Sequence, residues 1–361
     1  RLGGDEFLIV FEDIPSDARF SFEIDNLLDA ISKPITHDAT RLSVTVSMGV
    51  ATFLPRVLDF TAAMRQADIA LYAAKQAGRN RVTFFSEAMG ARFEARDRIE
   101  IELKQAIEKE QFFLHFQPRV NMKSGQVVSV EALVRWQHPT RGLVMPNEFI
   151  SICEETGMIE ELGQMVLEKG CWQAMAWHRS GNDIGLSINL SPRQFDDDRL
   201  LKSLSKFAQH RDFPYGKIEL EITENVLIGD HEQIELKLEA IARMGYSVSI
   251  DDFGTGYSNL SYISRFSLNC LKVDQSFIAQ LPKSGPIIDL ILTLGKQIGA
   301  TIVAEGVETQ HQLDWLYDHG CDQVQGYFLS PPVHIDRLGA VIENLNAMRS
   351  KASAPSIATG T

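Results

Sequence analysis

The chain has 361 residues, of which 44% are hydrophobic and 23% are charged, and its formal net charge at pH 7 is −13. This length favours two domains, and the composition is typical of a globular protein with a sizeable core. The negative charge argues against a nucleic-acid-binding surface, which needs many cationic contacts to phosphate.

Two further observations concern the location of the protein. No apolar run reaches the ~18 residues of a membrane span. The four cysteines show neither metal-ligand nor redox spacing. We therefore expect a cytoplasmic protein with reduced, mostly buried thiols, and we place any membrane anchor upstream of Arg1, where the sequence begins inside a motif.

Residues 1–86 form the first predicted unit. The glycine pair Gly3-Gly4 allows a close approach of the backbone to a ligand, and Asp5 and Glu6 beside it are candidate metal ligands. A plain acidic hairpin fits the same residues equally well. The predicted elements are strands at Leu8–Phe11, Leu42–Val50 and Val82–Phe85 and helices at Ser21–Ile31 and Ala62–Ala77.

This unit resembles the C-terminal part of a GGDEF domain, the diguanylate cyclase family. The resemblance rests on RLGGDEF at 1–7, SVTVSMGVA at 43–51 and ADIALYAAKQAGRN at 67–80. It implies that Glu6, Lys75 and Arg79 contact metal or phosphate and that GTP binds this unit in the full-length protein. The family's first strand and helices match no part of this chain, so we expect an incomplete cyclase.

A helical linker is predicted at 87–111, with its helix over Glu94–Glu110. From about Phe112, short apolar strands alternate with helical segments roughly eight times, which is typical of a (β/α)8 TIM-like barrel. A doubly wound open sheet is the alternative, but no glycine-rich dinucleotide fingerprint follows the first strand. The predicted strands are Phe112–Phe116, Val127–Leu133, Ile184–Leu190, Ile218–Ile222, Ser247–Ile250, Cys270–Val273, Thr301–Ala304 and Gln323–Phe328. The predicted helices are Asn147–His178, Arg199–Gln209, Glu232–Met244, Pro286–Ile298 and Glu308–Asp318.

The stretch Tyr246–Tyr257 reads YSVSIDDFGTGY. Its apolar β-branched residues predict a short buried strand that ends in two adjacent carboxylates, Asp251 and Asp252. Because adjacent carboxylates repel each other and lose hydration, one divalent cation or a pair of them is the best compensation. An acidic turn after a strand is equally compatible with this stretch alone.

Polar side chains end nearly every predicted strand, and the carboxyl ends of barrel strands meet at one mouth. These residues are Gln117, Glu131, Asn189, Glu221, Asp251, Asp252, Lys272, Glu305, Glu308 and Gln325. Carboxylate and amide oxygens without histidine or cysteine suit Mg²⁺ or Mn²⁺. Two such ions ~4 Å apart with a shared carboxylate make a hydrolytic site for a phosphodiester, and Lys272 adds positive charge beside the phosphate.

Residues 112–348 resemble the EAL domain, the cyclic di-GMP phosphodiesterase family, along their whole length. The resemblance rests on nine motifs in a fixed order. They are FQP at 116–118, EALVR at 131–135, PNEFI at 146–150, SINLS at 187–191, EITE at 221–224, DDFGTG at 251–256, LKVD at 271–274, AEGVE at 304–308 and QGY at 325–327.

The resemblance implies a role for each matching residue. Two metal ions, Mg²⁺ or Mn²⁺, are implied, and Asp251 is implied to bridge them. The implied metal ligands are Glu131, Asn189, Glu221, Asp251, Asp252 and Glu308, and the implied catalytic residues are Glu308, Lys272, Glu131 and Asp251. Glu308 is implied to orient or deprotonate the attacking water. Gln117, Leu133, Arg135 and Gln325 are implied to hold cyclic di-GMP, and Glu224 to brace the loop Asp252–Tyr257. The role of Glu305 stays open between a metal ligand and a hydrogen-bonding carboxylate behind the ligands.

We therefore divide the chain into the C-terminal part of a GGDEF domain (1–86), a helical linker (87–111), an EAL barrel (112–350) and a flexible tail (351–361). The barrel is expected to hydrolyse cyclic di-GMP to linear pGpG in a bacterial signalling protein, as a homodimer and with an upstream sensory domain. Two alternatives stay open. The barrel binds cyclic di-GMP without cutting it, or the full-length protein is a net diguanylate cyclase.

Overall fold

The computed structural model describes residues 1–12, 17–37, 40–52, 59–229, 231–255 and 266–352, and the chain divides into two compact units, Arg1–Ile101 and Glu102–Thr361. The flexible tail predicted at 351–361 lies outside the described residues from Ser353 onward. Lys351 and Ala352 form the end of the last helix.

The first unit packs a long helix against two short parallel strands. In chain order its elements are α1 (Asp17–Ser32), β1 (Ile35–His37), β2 (Thr40–Leu42), β3 (Met48–Val50), α2 (Phe60–Gln76) and β4 (Val82–Phe84). β1 and β2 pair antiparallel, and β3 pairs in parallel with β4. Helix α2 starts at Asp59, whose side chain accepts a hydrogen bond from the Ala62 N–H. It crosses β3 so closely that a Cβ at Gly49 would lie 2.1 Å from the Ala67 carbonyl oxygen.

The strand predicted at Leu8–Phe11 is wrong. Residues 8–11 adopt no regular structure, and Ile9 and Val10 are more than half exposed. An apolar run becomes a strand only where its backbone groups find hydrogen-bond partners, and no described strand pairs with this segment. The strand predicted at Leu42–Val50 is divided, because residues 43–47 separate β2 from β3.

The predicted linker helix is α3 (Glu87–Glu108), which begins earlier than predicted. Its last two turns belong to the second unit, where Leu103 and Ala106 are fully buried. The Glu102 carboxylate lies 3.4 Å from His138 Nε2 in the barrel. The end of the helix is therefore held by both apolar and polar contacts.

The second unit is a closed eight-stranded barrel, which confirms the predicted TIM-like fold. Its strands are β5 (Phe112–Asn121), β6 (Val127–His138), β8 (Gly185–Leu190), β9 (Ile218–Thr223), β10 (Ser247–Phe253), β11 (Cys270–Val273), β12 (Thr301–Ala304) and β13 (Gln323–Val324), and two short strands, β7 (Gly142–Val144) and β14 (Val333–His334), extend β6 and β5. The ring closes because β5 pairs with both β6 and β13.

The barrel departs from the predicted strand-and-helix repeat at its first strand. β5 runs antiparallel to both of its neighbours, whereas the other seven strands are parallel. Only residues 122–126 separate β5 from β6, and a parallel connection needs a crossover of a dozen residues or more. The two strands therefore form a hairpin, in which Gln117 faces Glu131.

Helices surround the parallel strands, which are almost wholly buried as a result. The single helix predicted at Asn147–His178 is wrong, because Gly157 in the left-handed region (φ +83°) ends the helix Ile150–Thr156 and a new helix begins. The four cysteines are free and buried, in agreement with the sequence-based expectation.

The helices are α4 (Ile150–Thr156), α5 (Ile159–Arg179), α6 (Pro192–Asp196), α7 (Arg199–Ala208), α8 (His231–Arg243), α9 (Gln275–Ala279), α10 (Gly285–Ile298), α11 (Gln310–Asp318) and α12 (Ile335–Ala352), with 3-10 turns at Pro146–Glu148 and Glu224–Ile228. None of the helices in the described ranges combines the length and apolar character that a membrane crossing requires.

The first prediction concerns Gly326, which follows β13. A Cβ there would lie 2.2 Å from both the nitrogen and the oxygen of Val307. Because these are backbone atoms, they cannot move aside as the end of a flexible side chain can. We expect Gly326→Ala to lower the free energy of unfolding by about 1–3 kcal/mol, the usual cost of overpacking. Gly339→Ala is the matched control, because nothing lies within 4 Å of its Cβ position in α12. The control is expected to be neutral or slightly stabilising. Equal urea midpoints for both variants would contradict the close approach.

Candidate active site

A buried lysine lies at the carboxyl ends of the parallel strands. Lys272, on β11, is 1% exposed, and its Nζ lies 2.7 Å from Glu221 Oε2 and 2.7 Å from Glu305 Oε1. The same nitrogen lies 3.0 Å from Asp251 Oδ1 and 3.7 Å from Glu131 Oε2. Carboxylates from β6, β9 and β10 and from the end of β12 therefore converge on one ammonium group. The alternation of side chains along each strand explains why all of them face the barrel interior.

An amide network fixes the orientation of Glu131. Its Oε1 accepts a hydrogen bond from Asn189 Nδ2 at 2.6 Å, and its Oε2 accepts one from Gln325 Nε2 at 2.5 Å. Gln325 Nε2 also donates to Gln117 Oε1 at 3.0 Å, and Gln117 Nε2 donates to the Ser330 carbonyl oxygen. Gln325 Oε1 is buried, and none of the described residues donates a hydrogen bond to it. The network thus leaves one acceptor free for a ligand.

An irregularity in β10 brings two adjacent acids to one place. Neighbouring side chains of a regular strand point to opposite faces. The pairing of β10 with β11 shifts by one residue between Ile250 and Phe253, and Asp252 lies in the left-handed region at φ +53°. This β-bulge turns the strand. Carboxylate oxygens of Asp251, Asp252 and Glu305 consequently lie within 4.8 Å of one another.

The pKa shifts show that the acids outnumber the cations at this site. Burial and the charges of Glu131 and Asp251 raise the pKa of Glu221, and burial together with Asp251 and Glu131 raises the pKa of Glu305 to about 7. Burial and the neighbouring Asp251 and Asp274 raise the pKa of Asp252 to about 6.

Glu131 and Lys272, by contrast, are held in their charged forms. Burial opposes ionisation of Glu131, but Lys272 and the hydrogen bonds from Gln325 and Asn189 hold its pKa below the usual value. The surrounding carboxylates raise the pKa of Lys272 despite its burial. A set of oxygen donors with excess negative charge and a free amide acceptor fits divalent cations of the Mg²⁺ and Mn²⁺ type.

Glu305 and Glu308 occupy different environments. Glu305 contacts Lys272 directly, whereas the Glu308 side chain is exposed and lies outside the group of three acids with adjacent oxygens. The Glu308 N–H donates to Gln312 Oε1, next to the capping box with which Thr309 begins α11. The structure therefore brings together Glu131, Asn189, Glu221, Asp251, Lys272, Gln117 and Gln325, with Glu305 and Asp252 beside them.

The remaining predicted residues surround this centre. Arg135 is buried and donates to the Val134 carbonyl oxygen, and Leu133 is half-buried. Glu224 is buried, and its Oε2 accepts a hydrogen bond from the Gly254 N–H at 3.3 Å, so it contacts the start of the loop it was predicted to brace. Residues 256 and 257 of that loop, and those that follow up to 265, lie outside the described part of the chain.

Sequence reasoning missed two residues of the site. Asp274 hydrogen-bonds Asp252 and caps α9 by accepting from the Ser276 N–H. Arg119 lies deeper in the barrel, where it contacts Glu221. Arg119 follows Gln117 by two residues on the same strand. Since side chains alternate between the two faces of a strand, its side chain is predicted to face the barrel interior, as that of Gln117 does. A buried arginine without a recognisable motif gave no other signal.

Two family models match this chain. The model described as "EAL domain" matches residues 100–332, and the model described as "Diguanylate cyclase, GGDEF domain" matches residues 1–81. Both lie in the order that the sequence motifs predict.

Two curated relatives from Pseudomonas aeruginosa are similar along nearly the whole chain. The bifunctional diguanylate cyclase/cyclic di-GMP phosphodiesterase MucR is 36% identical over 347 residues, which are 95% of this chain and 50% of that protein. The cyclic di-GMP phosphodiesterase NbdA is 35% identical over 359 residues, which are 98% of this chain and 45% of that protein. The chain thus spans about half the length of these relatives.

A solved structure of the PaMucR phosphodiesterase in complex with c-di-GMP is similar to the barrel. Its TM-score is 0.64 at 37% sequence identity, and the match covers 67% of this chain and 99% of that one.

The second prediction concerns the central cation. Lys272→Met keeps the length of the side chain but leaves the converging carboxylates without their ammonium group. Breaking a buried ion pair typically costs 3–5 kcal/mol, so we expect a loss of about that size in EDTA. Added Mn²⁺ should recover part of it by supplying positive charge. The measurement is urea unfolding followed by circular dichroism, with exposed Lys283→Met as control. Parent-like stability of Lys272→Met in EDTA would show that the carboxylates do not depend on Lys272.

Proposed function

Because this chain belongs to the EAL domain family, with residues 1–81 matching the GGDEF domain, we propose that its barrel is a phosphodiesterase that hydrolyses cyclic di-GMP to linear pGpG. The observation that carries the proposal is the convergence of Glu131, Glu221, Asp251 and Glu305 on buried Lys272 at the barrel mouth. The names of the relatives MucR and NbdA, and the c-di-GMP complex of the similar structure, support this substrate.

The same geometry favours hydrolysis over binding alone. A module that only captures a dinucleotide gains nothing from several buried like charges, because their burial is costly unless a cation compensates them. This chain keeps Glu131, Asn189, Glu221, Asp251 and Asp252 at one end of the barrel. Such a costly arrangement supports a catalytic role.

We propose that two divalent cations, Mg²⁺ or Mn²⁺, are resident at this site. The residues that would hold them are Glu131, Asn189, Glu221, Asp251 and Asp252, with Glu305 or Glu308 beside them. When bound, such cations offset the charge of a phosphodiester and promote ionisation of a nucleophilic water. Lys272, which already lies among these acids, would place its positive charge beside the reacting phosphate.

The protein side chains would divide the remaining tasks. Gln117, Gln325 and Arg135, which are buried near the mouth, are proposed to orient the nucleotide. A carboxylate must accept the proton of the attacking water. The resemblance assigned this task to Glu308, but the position of Glu305 at 2.7 Å from Lys272, among Asp251 and Asp252, supports Glu305 as the acceptor.

We further propose that the barrel forms a homodimer. Helix α10 presents Ile287 and Leu290 on one face, where they are 47% and 61% exposed. Leu294, a further turn along the same helix, is half-buried. An apolar stripe of this kind on a surface helix suits a second copy of the chain. GTP binding by the first unit and an upstream sensory domain remain proposals for the longer protein.

The third prediction is that hydrolysis depends on the metal. Purified chain should convert cyclic di-GMP to pGpG with Mg²⁺ or Mn²⁺, and lose this activity in excess EDTA. Ca²⁺ should inhibit, since its longer bonds and variable coordination number change the geometry that the carboxylates offer. Products are resolved by chromatography over time. Undiminished turnover in EDTA would rule out the metal-assisted reaction, and tight binding without any product would favour the non-hydrolytic module.

The fourth prediction compares Glu305→Gln with Glu308→Gln, two variants that each remove one negative charge at nearly constant volume. If Glu305 accepts the proton, Glu305→Gln should lower kcat by about 10²–10⁴-fold, the usual contribution of a general base. Binding of cyclic di-GMP should change by no more than tenfold, about 1.4 kcal/mol. Glu308→Gln should have the smaller effect on kcat. Single-turnover hydrolysis and calorimetry on both variants decide the matter, and the reverse ranking would return the role to Glu308.

A further inference from the structure

A second polar layer lies in the barrel interior below Lys272. Arg119 belongs to it, since it points to the same face of β5 as Gln117 and is 2% exposed. Its register partner is Ser129, whereas that of Gln117 is Glu131, so Arg119 lies one layer deeper than the amide network. The guanidinium group therefore approaches the active site from inside the barrel rather than from the mouth.

The guanidinium group of Arg119 joins three side chains from two strands. Its Nη2, whose two N–H groups are shared among three acceptors, lies 2.9 Å from Glu221 Oε1, 3.0 Å from Ser187 Oγ and 3.1 Å from Glu219 Oε1. Its Nη1 donates to the same oxygen of Glu219 at 3.0 Å. These bonds use the planar fork of arginine, which a lysine cannot reproduce.

Glu221 is consequently held from two sides. Arg119 binds its Oε1 from below, and Lys272 donates to its Oε2 at 2.7 Å. The Glu221 side chain is fully buried. With each carboxylate oxygen bonded to a different cation, the plane of the carboxylate cannot rotate without breaking one of these bonds.

We propose that Arg119 is a positioning residue for the active site, which holds the Glu221 carboxylate in the orientation that binds a divalent cation. This inference rests on the proposed function, because it concerns a ligand of the proposed metal site. Groups that hydrogen-bond a ligating carboxylate from behind fix its direction, and their loss typically weakens metal binding by 10–100-fold. Arg119 has the contacts for this role and none of the family motifs assigns it one.

A purely structural role is the alternative, in which Arg119 only neutralises Glu219 and Glu221 in the core. The two roles differ in what they predict for a folded protein. A structural role changes stability and leaves cation affinity unchanged, whereas a positioning role changes cation affinity even where stability is restored. The test therefore needs a variant that loses the contact to Glu221 without leaving an additional unpaired charge.

The double variant Arg119→Met/Glu219→Gln meets this requirement, because it removes one positive and one negative charge together. Glu219→Gln alone is the matched control, since it retains Arg119 and its bond to Glu221. Calorimetry of metal-free protein with Mn²⁺ should give an affinity within about threefold of the parent for the control. The double variant should bind Mn²⁺ about 10–100-fold more weakly. Unchanged Mn²⁺ affinity in the folded double variant would overturn the proposal.

Arg119→Gln is the second variant, because it keeps N–H donors and disturbs packing less. Its Mn²⁺ affinity should lie between those of the control and the double variant. If the double variant does not fold, unchanged affinity in Arg119→Gln overturns the proposal instead. Hydrolysis at saturating Mn²⁺ provides the second readout, and a positioning role predicts that most of the kcat lost at low Mn²⁺ returns.

The two proposals fail in different ways. If the parent binds Mn²⁺ but forms no pGpG, the proposed function fails while the affinity comparison still tests Arg119. If the parent hydrolyses cyclic di-GMP and the variants bind Mn²⁺ as the parent does, only the positioning role fails.

Discussion

The buried ammonium group of Lys272 is the interaction on which the rest of the active site depends. Ionised groups lose several kcal/mol of hydration when they are buried, and only close opposite charges and hydrogen bonds offset this loss. Lys272 on β11 supplies that offset for acids on β6, β9 and β10 and after β12. It thereby joins strands that are not neighbours in the sheet, such as β6 and β11. Arg119 is a second cation in contact with Glu221, but two cations still do not balance all these carboxylates. The remaining negative charge is what makes the mouth receptive to divalent cations.

Because β5 runs in the reverse direction, its successive inward-facing side chains contribute to two layers of the barrel interior. Along the parallel strands the chain rises toward the mouth, whereas along β5 it descends, so Gln117 reaches the level of Glu131 and Arg119 the level of Ser129. A single strand thus supplies an amide to the upper layer and a cation to the lower one. The lower layer also contains buried polar atoms for which the described part of the chain offers no hydrogen-bond partner, namely Ser129 Oγ, Ser249 Oγ and Arg119 Nε. Buried polar atoms of this kind are the usual partners of internal water.

The sequence predicted the barrel and most of its mouth, because both depend on short-range patterns. Polar residues that end apolar strands, such as Asn189 and Glu221, converge in any closed parallel barrel. The antiparallel start was missed because the strand pattern of Phe112–Phe116 carries no direction. The feature that indicates a hairpin is the short link between β5 and β6. Leu8–Phe11 had strand-like residues without a described strand to pair with. The environments of Glu305 and Glu308 depend on how a four-residue turn is folded, which residue spacing does not determine.

The β-bulge in β10 makes the paired acids Asp251 and Asp252 structurally unequal. They look equivalent in the sequence, yet Asp251 reaches the mouth through the ordinary pleat and Asp252 only through an extra residue in the strand. The pleat is a property of every strand, whereas the bulge is a local feature that one deletion would erase. In a regular strand the side chains of Asp251 and Asp252 would point to opposite faces, and only Asp251 would face the mouth. The charge that this strand contributes to the mouth therefore depends on its backbone conformation as well as on its sequence.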